Sequence, residues 1–128
     1  MTEKRGRKSR RIPLASFDGN GAIEVTRGER AVLAVPEVAG SGVRRSLEAR
    51  VEEAAGLAEA IGLDVVARKA FRVRSPRPAT LLGKGQVEEI AEAAREQRAG
   101  LLIVDAALTP IQQKNLEDET GTKAIDRT

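Results

Sequence analysis

Pro76-Arg77-Pro78-Ala79-Thr80-Leu81-Leu82-Gly83-Lys84-Gly85-Gln86-Val87-Glu88-Glu89-Ile90 is the stretch from which the rest of the chain can be placed. Its prolines fix their own φ and push the residues before them towards extended backbone, so they close whatever precedes. Gly83-Lys84-Gly85 allows a bend where a side chain would clash. Val87, Ile90, Ala91 and Ala94 then recur at the spacing of a helical apolar stripe. A lysine flanked by glycines at the mouth of a helix meets free N–H groups and the positive end of the helix dipole, which favour an anion. Gly83, Lys84 and Gly85 are therefore candidate phosphate-binding residues. The P-loop pattern itself is not met: Pro78 stands where its first glycine belongs, and Gly85 where its Mg²⁺-binding hydroxyl belongs. A loop-to-helix turn with a solvated lysine is the plainer alternative.

Working outward, strands and helices alternate. Arg30-Ala31-Val32-Leu33-Ala34-Val35, stopped by Pro36, reads as a buried strand. Ser46 offers an N-cap to a helix whose apolar face is Leu47, Val51, Ala54, Ala55, Ala58 and Ile61, with Gly62 just past its end. Residues 63–73 mix apolar and basic side chains, as an edge strand does to discourage edge-to-edge pairing. A helix from Gln86 to about Arg98 is expected to close at Gly100, and Leu101–Asp105 is a third, fully apolar strand. Thr109-Pro110-Ile111-Gln112 combines a hydroxyl cap, proline at the first helical position and glutamine at the third. Its helix ends at Gly121, and Lys123–Asp126 is a short fourth strand.

This alternation predicts an α/β fold: a four-stranded parallel sheet in the order 2-1-3-4 flanked by three helices, joined by right-handed crossovers. One helix should cover one face and two the other. The crevice at the switch point would then be lined by Gly40, Ser41, Gly42 and Asp105. Residues 30–128 form this domain, and residues 1–29 a weakly structured extension.

The chain has 128 residues, enough for one domain with its own core. It has no cysteine and no histidine, which excludes disulfides, thiolate metal sites, a Ser-His-Asp triad and imidazole acid–base work. No apolar run is long enough to span a bilayer, and the basic N-terminus lacks the apolar segment of a signal peptide, so a cytoplasmic location is expected. Phe17 and Phe71 are the only aromatic residues, which argues against base-stacking platforms.

The net charge of +3 is an average over unlike parts. Lys4, Arg5, Arg7, Lys8, Arg10 and Arg11 against Glu3 give residues 1–12 a net charge of +5. They read as a disordered basic arm of the kind that binds nucleic-acid backbones by counterion release, or as a solubilising tail. From Val65 to Val87 there is no acid, while Arg68, Lys69, Arg72, Arg74, Arg77 and Lys84 all fall there. Arg68, Arg72, Arg74, Arg77 and Lys84 are the candidate RNA-binding residues. No catalytic constellation is spaced for chemistry. Asp105 stands where α/β enzymes often place an acid, but aspartate also commonly ends a strand before a turn.

Three blocks resemble the HflX family of ribosome-associated GTPases. Ser46-Leu47-Glu48-Ala49-Arg50 with Glu52-Glu53-Ala54, then Gly56-Leu57-Ala58-Glu59-Ala60, is similar to the first. Pro78-Ala79-Thr80-Leu81-Leu82-Gly83-Lys84-Gly85-Gln86-Val87-Glu88-Glu89-Ile90 is similar to the second. Leu108-Thr109-Pro110-Ile111-Gln112-Gln113-Lys114-Asn115-Leu116-Glu117, with Lys123–Thr128, is similar to the third. The resemblance covers residues 30–128. It implies the N-terminal α/β subdomain of a ribosome-splitting or ribosome-rescue GTPase, without the family's helical arm and G domain. It further implies docking on the large ribosomal subunit, with rRNA contact and regulation of the G domain. GTP and Mg²⁺ are expected in that G domain and no cofactor in these residues. Gln112, Gln113 and Asn115 would add uncharged groups to the RNA surface, or form a solvent face with ordinary capping. A separate ATP- or GTP-binding or hydrolytic domain, using Gly83-Lys84-Gly85 or the crevice, is the alternative function.

Overall fold

A computed structural model describes residues 11–15, 22–39 and 46–127. Its centre is a parallel sheet built from β3 (Arg30–Val38), β4 (Asp64–Val73), β5 (Leu101–Val104) and β6 (Lys123–Asp126), in the spatial order β4-β3-β5-β6. Counted from β3, this is the expected order 2-1-3-4. Three helices connect the strands: α1 (Leu47–Ala60), α2 (Lys84–Gln97) and α3 (Pro110–Thr120).

The two central strands are buried on both faces because successive residues point to opposite sides. Ala31, Leu33, Val35, Leu101, Ile103 and Ile125 pack with Ala54, Ala55 and Ala58 of α1. Val32, Ala34, Leu102 and Val104 pack on the other face with Val87, Ile90 and Ala94 of α2 and Leu116 of α3. Every residue of β5 is fully buried. Each such aliphatic side chain is worth roughly 1.5–3 kcal/mol, which explains why an unbroken apolar run becomes a central strand.

Pro36 does not end its strand; β3 continues to Val38. The pairing of β3 with β5 stops at Ala34↔Val104, and the Ala34 carbonyl accepts from Asp105 N at 2.9 Å. Two residues on, Pro36 turns its missing N–H to the side where β5 has ended, so no ladder bond is lost.

Helix starts follow the sequence closely. Ser46 Oγ accepts from Ala49 N at 3.0 Å, and Thr109 Oγ1 accepts from Gln112 N at 3.1 Å. Two ends behave differently. Gly62 and Gly121 take left-handed φ values of 95° and 72° after α1 and α3, as glycines past a helix end should. After α2, however, the left-handed residue is Arg98 (φ 55°) and not Gly100; the turn closes early, with Ala99 N bonded to the Ala94 carbonyl at 2.8 Å.

Of the expected basic arm, residues 1–12, residues 1–10 lie outside the described residues, and Arg11 and Ile12 are corrected to the start of a strand. The rest of the extension holds more structure than its weak pattern suggests. β1 (Arg11–Ala15) and β2 (Ala22–Thr26) pair antiparallel, from Arg11↔Thr26 to Ala15↔Ala22.

Candidate functional site

The segment from Arg74 to Gly83 leaves the edge strand β4 and feeds α2. Its bend is not made where the sequence places it. Lys84 and Gly85 are already in the first turn of α2, and Gly83 is the N-cap with φ −70°. Neither Gly83 nor Gly85 has a positive φ; the left-handed residue is Leu81, with φ 72°. A leucine is strained there by about 1–2 kcal/mol. The cost is offset by burial, since its side chain is 7% exposed and packs in the core beside Leu82 and Val87.

The loop is closed on itself and pinned from outside. Leu81 N donates to the Arg77 carbonyl at 2.8 Å, and Arg77 N donates to the Leu81 carbonyl at 3.2 Å. Buried Thr80 donates through Oγ1 to the Leu82 carbonyl at 2.8 Å. Three side-chain amides then reach in, each at 3.0 Å: Gln86 Nε2 to the Arg72 carbonyl, Gln112 Nε2 to that of Arg77, and Asn115 Nδ2 to that of Ala79. Gln112 and Asn115 are thus committed to the protein's own backbone. Gln113 is too, donating to the Ala124 carbonyl at 2.8 Å. The expectation that these three amides extend an RNA surface is corrected accordingly.

The acid-free run of sequence is not acid-free in space. Arg68 on β4 faces α1 and pairs with Glu52 at 3.5 Å and Glu59 at 3.9 Å. Lys69, its neighbour, faces the opposite side and pairs with Glu89 of α2 at 3.2 Å. Arg72 pairs with Glu37 of β3 at 2.8 Å. Arg74, Arg77 and Lys84 have no carboxylate partner among the described residues. The structure therefore splits the candidate RNA-binding set. Arg68 and Arg72 are tied to carboxylates, with Arg68 on the α1 face. Arg77 and Lys84 line one hollow of about 170 Å³ with Ala79, Thr80 and Glu119. That volume suits one phosphate group. It is below the roughly 300–1,000 Å³ of a typical small-molecule site. The donor set does not fit GTP with Mg²⁺: Gly83 N is already bonded to Gln86 Oε1 at 2.9 Å, and no hydroxyl follows Lys84. Among the described residues no cluster of carboxylates is arranged to hold a metal ion.

Asp105, the other candidate, is clamped. Its side chain is 7% exposed; one oxygen meets Arg127, and the other lies 3.4 Å from Arg50, which also donates to the Asp105 carbonyl at 3.1 Å. Arg127 reaches Glu53 as well, at 3.7 Å. Asp105 thereby joins α1, β5 and the chain leaving β6. Gly40, Ser41 and Gly42 lie outside the described residues. A larger cavity of about 640 Å³ opens between the start of α1 and β4, lined by Glu37, Glu48, Glu52 and Arg72 among others. Its carboxylates suit no phosphate. Sequence reasoning missed Arg50 and Arg127, which no local pattern marks. It also missed the outward reach of Gln86, although glutamine three residues after a helix's N-cap is a readable signal.

Residues 48–128 match a family described as GTP-binding GTPase N-terminal. Curated relatives include a GTPase HflX of Magnetococcus marinus, 39% identical over 66% of this chain and 20% of that protein. The GTPase HflX of Treponema denticola is 40% identical over 62% of this chain and 20% of its own length. The Escherichia coli GTPase HflX is 40% identical over 43% of this chain and 13% of its own. The chain thus spans about a fifth of the first two. A crystal structure of a GTP-binding protein from Sulfolobus solfataricus in complex with GDP shares the fold. Its TM-score is 0.53 at 20% identity, over 77% of this chain and 27% of that one. With α2, α3, all of α1 but Leu47, the pinned loop and every strand of the parallel sheet except β3 inside the matched residues, the chain belongs to the GTP-binding GTPase N-terminal family, alongside the HflX GTPases.

Proposed function

We propose that this chain is the N-terminal α/β domain of an HflX-like cytoplasmic GTPase that docks on the large ribosomal subunit. Its part is to contact rRNA phosphates and to help regulate a G domain, where GTP and Mg²⁺ bind. The observation that carries this is the set of cations Arg74, Arg77 and Lys84, exposed on and beside a rigidly held loop and in no salt bridge among the described residues, although Glu119 also lines the hollow of Arg77 and Lys84. Arg77 and Lys84 share a phosphate-sized hollow with the N-terminus of α2, where helix dipole and cation act together. RNA docking of this kind reads shape and phosphate and needs no aromatic platform. Arg68 and Arg72 would join only by exchanging their glutamates for phosphates.

Co-sedimentation with purified large ribosomal subunits tests this. The double variant Arg77→Glu/Lys84→Glu should lose about tenfold or more in affinity at moderate salt, since each reversal replaces attraction to a phosphate by repulsion. Unchanged co-sedimentation would refute the assignment.

A further inference from the structure

We propose that the loop after β4 is a preformed docking element, and that Gln86 and Gln112 are the positioning residues that fix its cations. Each glutamine stands at the third position of its helix and uses one amide twice. Oε1 of Gln86 accepts from Gly83 N at 2.9 Å while its Nε2 holds the Arg72 carbonyl at 3.0 Å. Oε1 of Gln112 accepts from Thr109 N at 2.9 Å while its Nε2 holds the Arg77 carbonyl at 3.0 Å. The oxygen completes the helix start; the nitrogen of Gln86 holds the end of β4 just before the loop, and that of Gln112 pins the loop at its middle. Glutamate completes a helix start equally well but offers no donor. Capping alone therefore does not call for an amide at either position, whereas the loop does.

The pinned carbonyls bracket Arg74 and lie at Arg77 itself. Gln112 is buried, so its bond is shielded from competing water. The Arg77 carbonyl accepts a second bond from Leu81 N, and Asn115 holds Ala79 between them. A loop ordered in advance loses little conformational freedom on binding, so its cations meet a partner without that cost. That the partner is RNA phosphate rests on the docking reading above; the pinning does not.

Gln112→Glu separates the two roles, because it keeps the cap and deletes the donor. Exchange of the Leu81 amide in the chain alone should accelerate roughly fivefold, the loss expected for one net hydrogen bond, while Ile103 in β5 is unaltered. Gln86→Glu should loosen the same loop and serves if Gln112→Glu fails to fold. Binding to large ribosomal subunits should weaken several-fold with the salt dependence of wild type, because no cation has been removed. Gln113→Glu adds the same charge on the same helix without touching the loop and calibrates that contribution. Unchanged Leu81 exchange in both variants, or acceleration spread evenly over the domain, would overturn the pinning. Faster Leu81 exchange with wild-type subunit affinity would overturn its role in docking. If the wild-type chain itself does not bind subunits, the docking reading fails and the exchange data still decide the pinning.

Discussion

The cations of β4 and those of the loop behind it are neighbours in sequence and opposites in company. Arg68, Lys69 and Arg72 lie on a strand, so their side chains alternate between faces and meet Glu52 and Glu59, Glu89, and Glu37. Arg74, Arg77 and Lys84 lie beyond the strand's end, past the reach of those acids. A run without acids along the chain is thus no guarantee of a basic surface. A strand inherits the charges of whatever packs on either side of it, and a loop at the sheet's end does not.

The largest effect that sharpens this contrast should come from a third kind of cation, the half-buried kind. Asp105→Ala leaves Arg50 and Arg127 facing a partly buried gap, and urea unfolding should show a loss of about 3 kcal/mol. A loss near that of a surface pair would mean that Asp105 contributes nothing special. Next, replacing Arg74, Arg77 and Lys84 together by glutamine should lower the salt slope of large-subunit binding by up to about three. The matching triple Arg68, Lys69 and Arg72 to glutamine should leave that slope nearly intact. Equal slopes for the two triples would erase the distinction between strand and loop. The smallest effect is on stability. Arg68→Ala should cost less than about 1 kcal/mol, because its partners are exposed and water screens the pairs. Arg77→Ala should fall within about 0.5 kcal/mol of wild type.

Much of the architecture was legible beforehand because it rests on local signals. The apolar runs at Ala31–Val35 and Leu101–Val104, the caps at Ser46 and Thr109, and the glycines at positions 62 and 121 each act within a few residues. Regular alternation then left few topologies. The pairing of β1 and β2 is not legible in the sequence because two five-residue strands, one containing Pro13, carry little pattern. The glycines of Gly83-Lys84-Gly85 mark a bend in the sequence, and the core demands it at Leu81 instead. Glycine marks where a left-handed φ is cheap, and a well-buried leucine can occupy one anyway. The site was less legible still. The basic residues were visible, but their partners come from α1, β3 and α2, and the amides that order the loop come from α2 and α3.

By itself, the order of residues determined the strands, the helices, their succession and the resemblance to HflX, since periodicity and capping are settled between near neighbours. Only the tertiary structure decided which cations keep their charge unshared and which amides are spent on the loop. Those outcomes depend on contacts between residues up to 36 positions apart, and no short window of sequence contains both ends of such a contact.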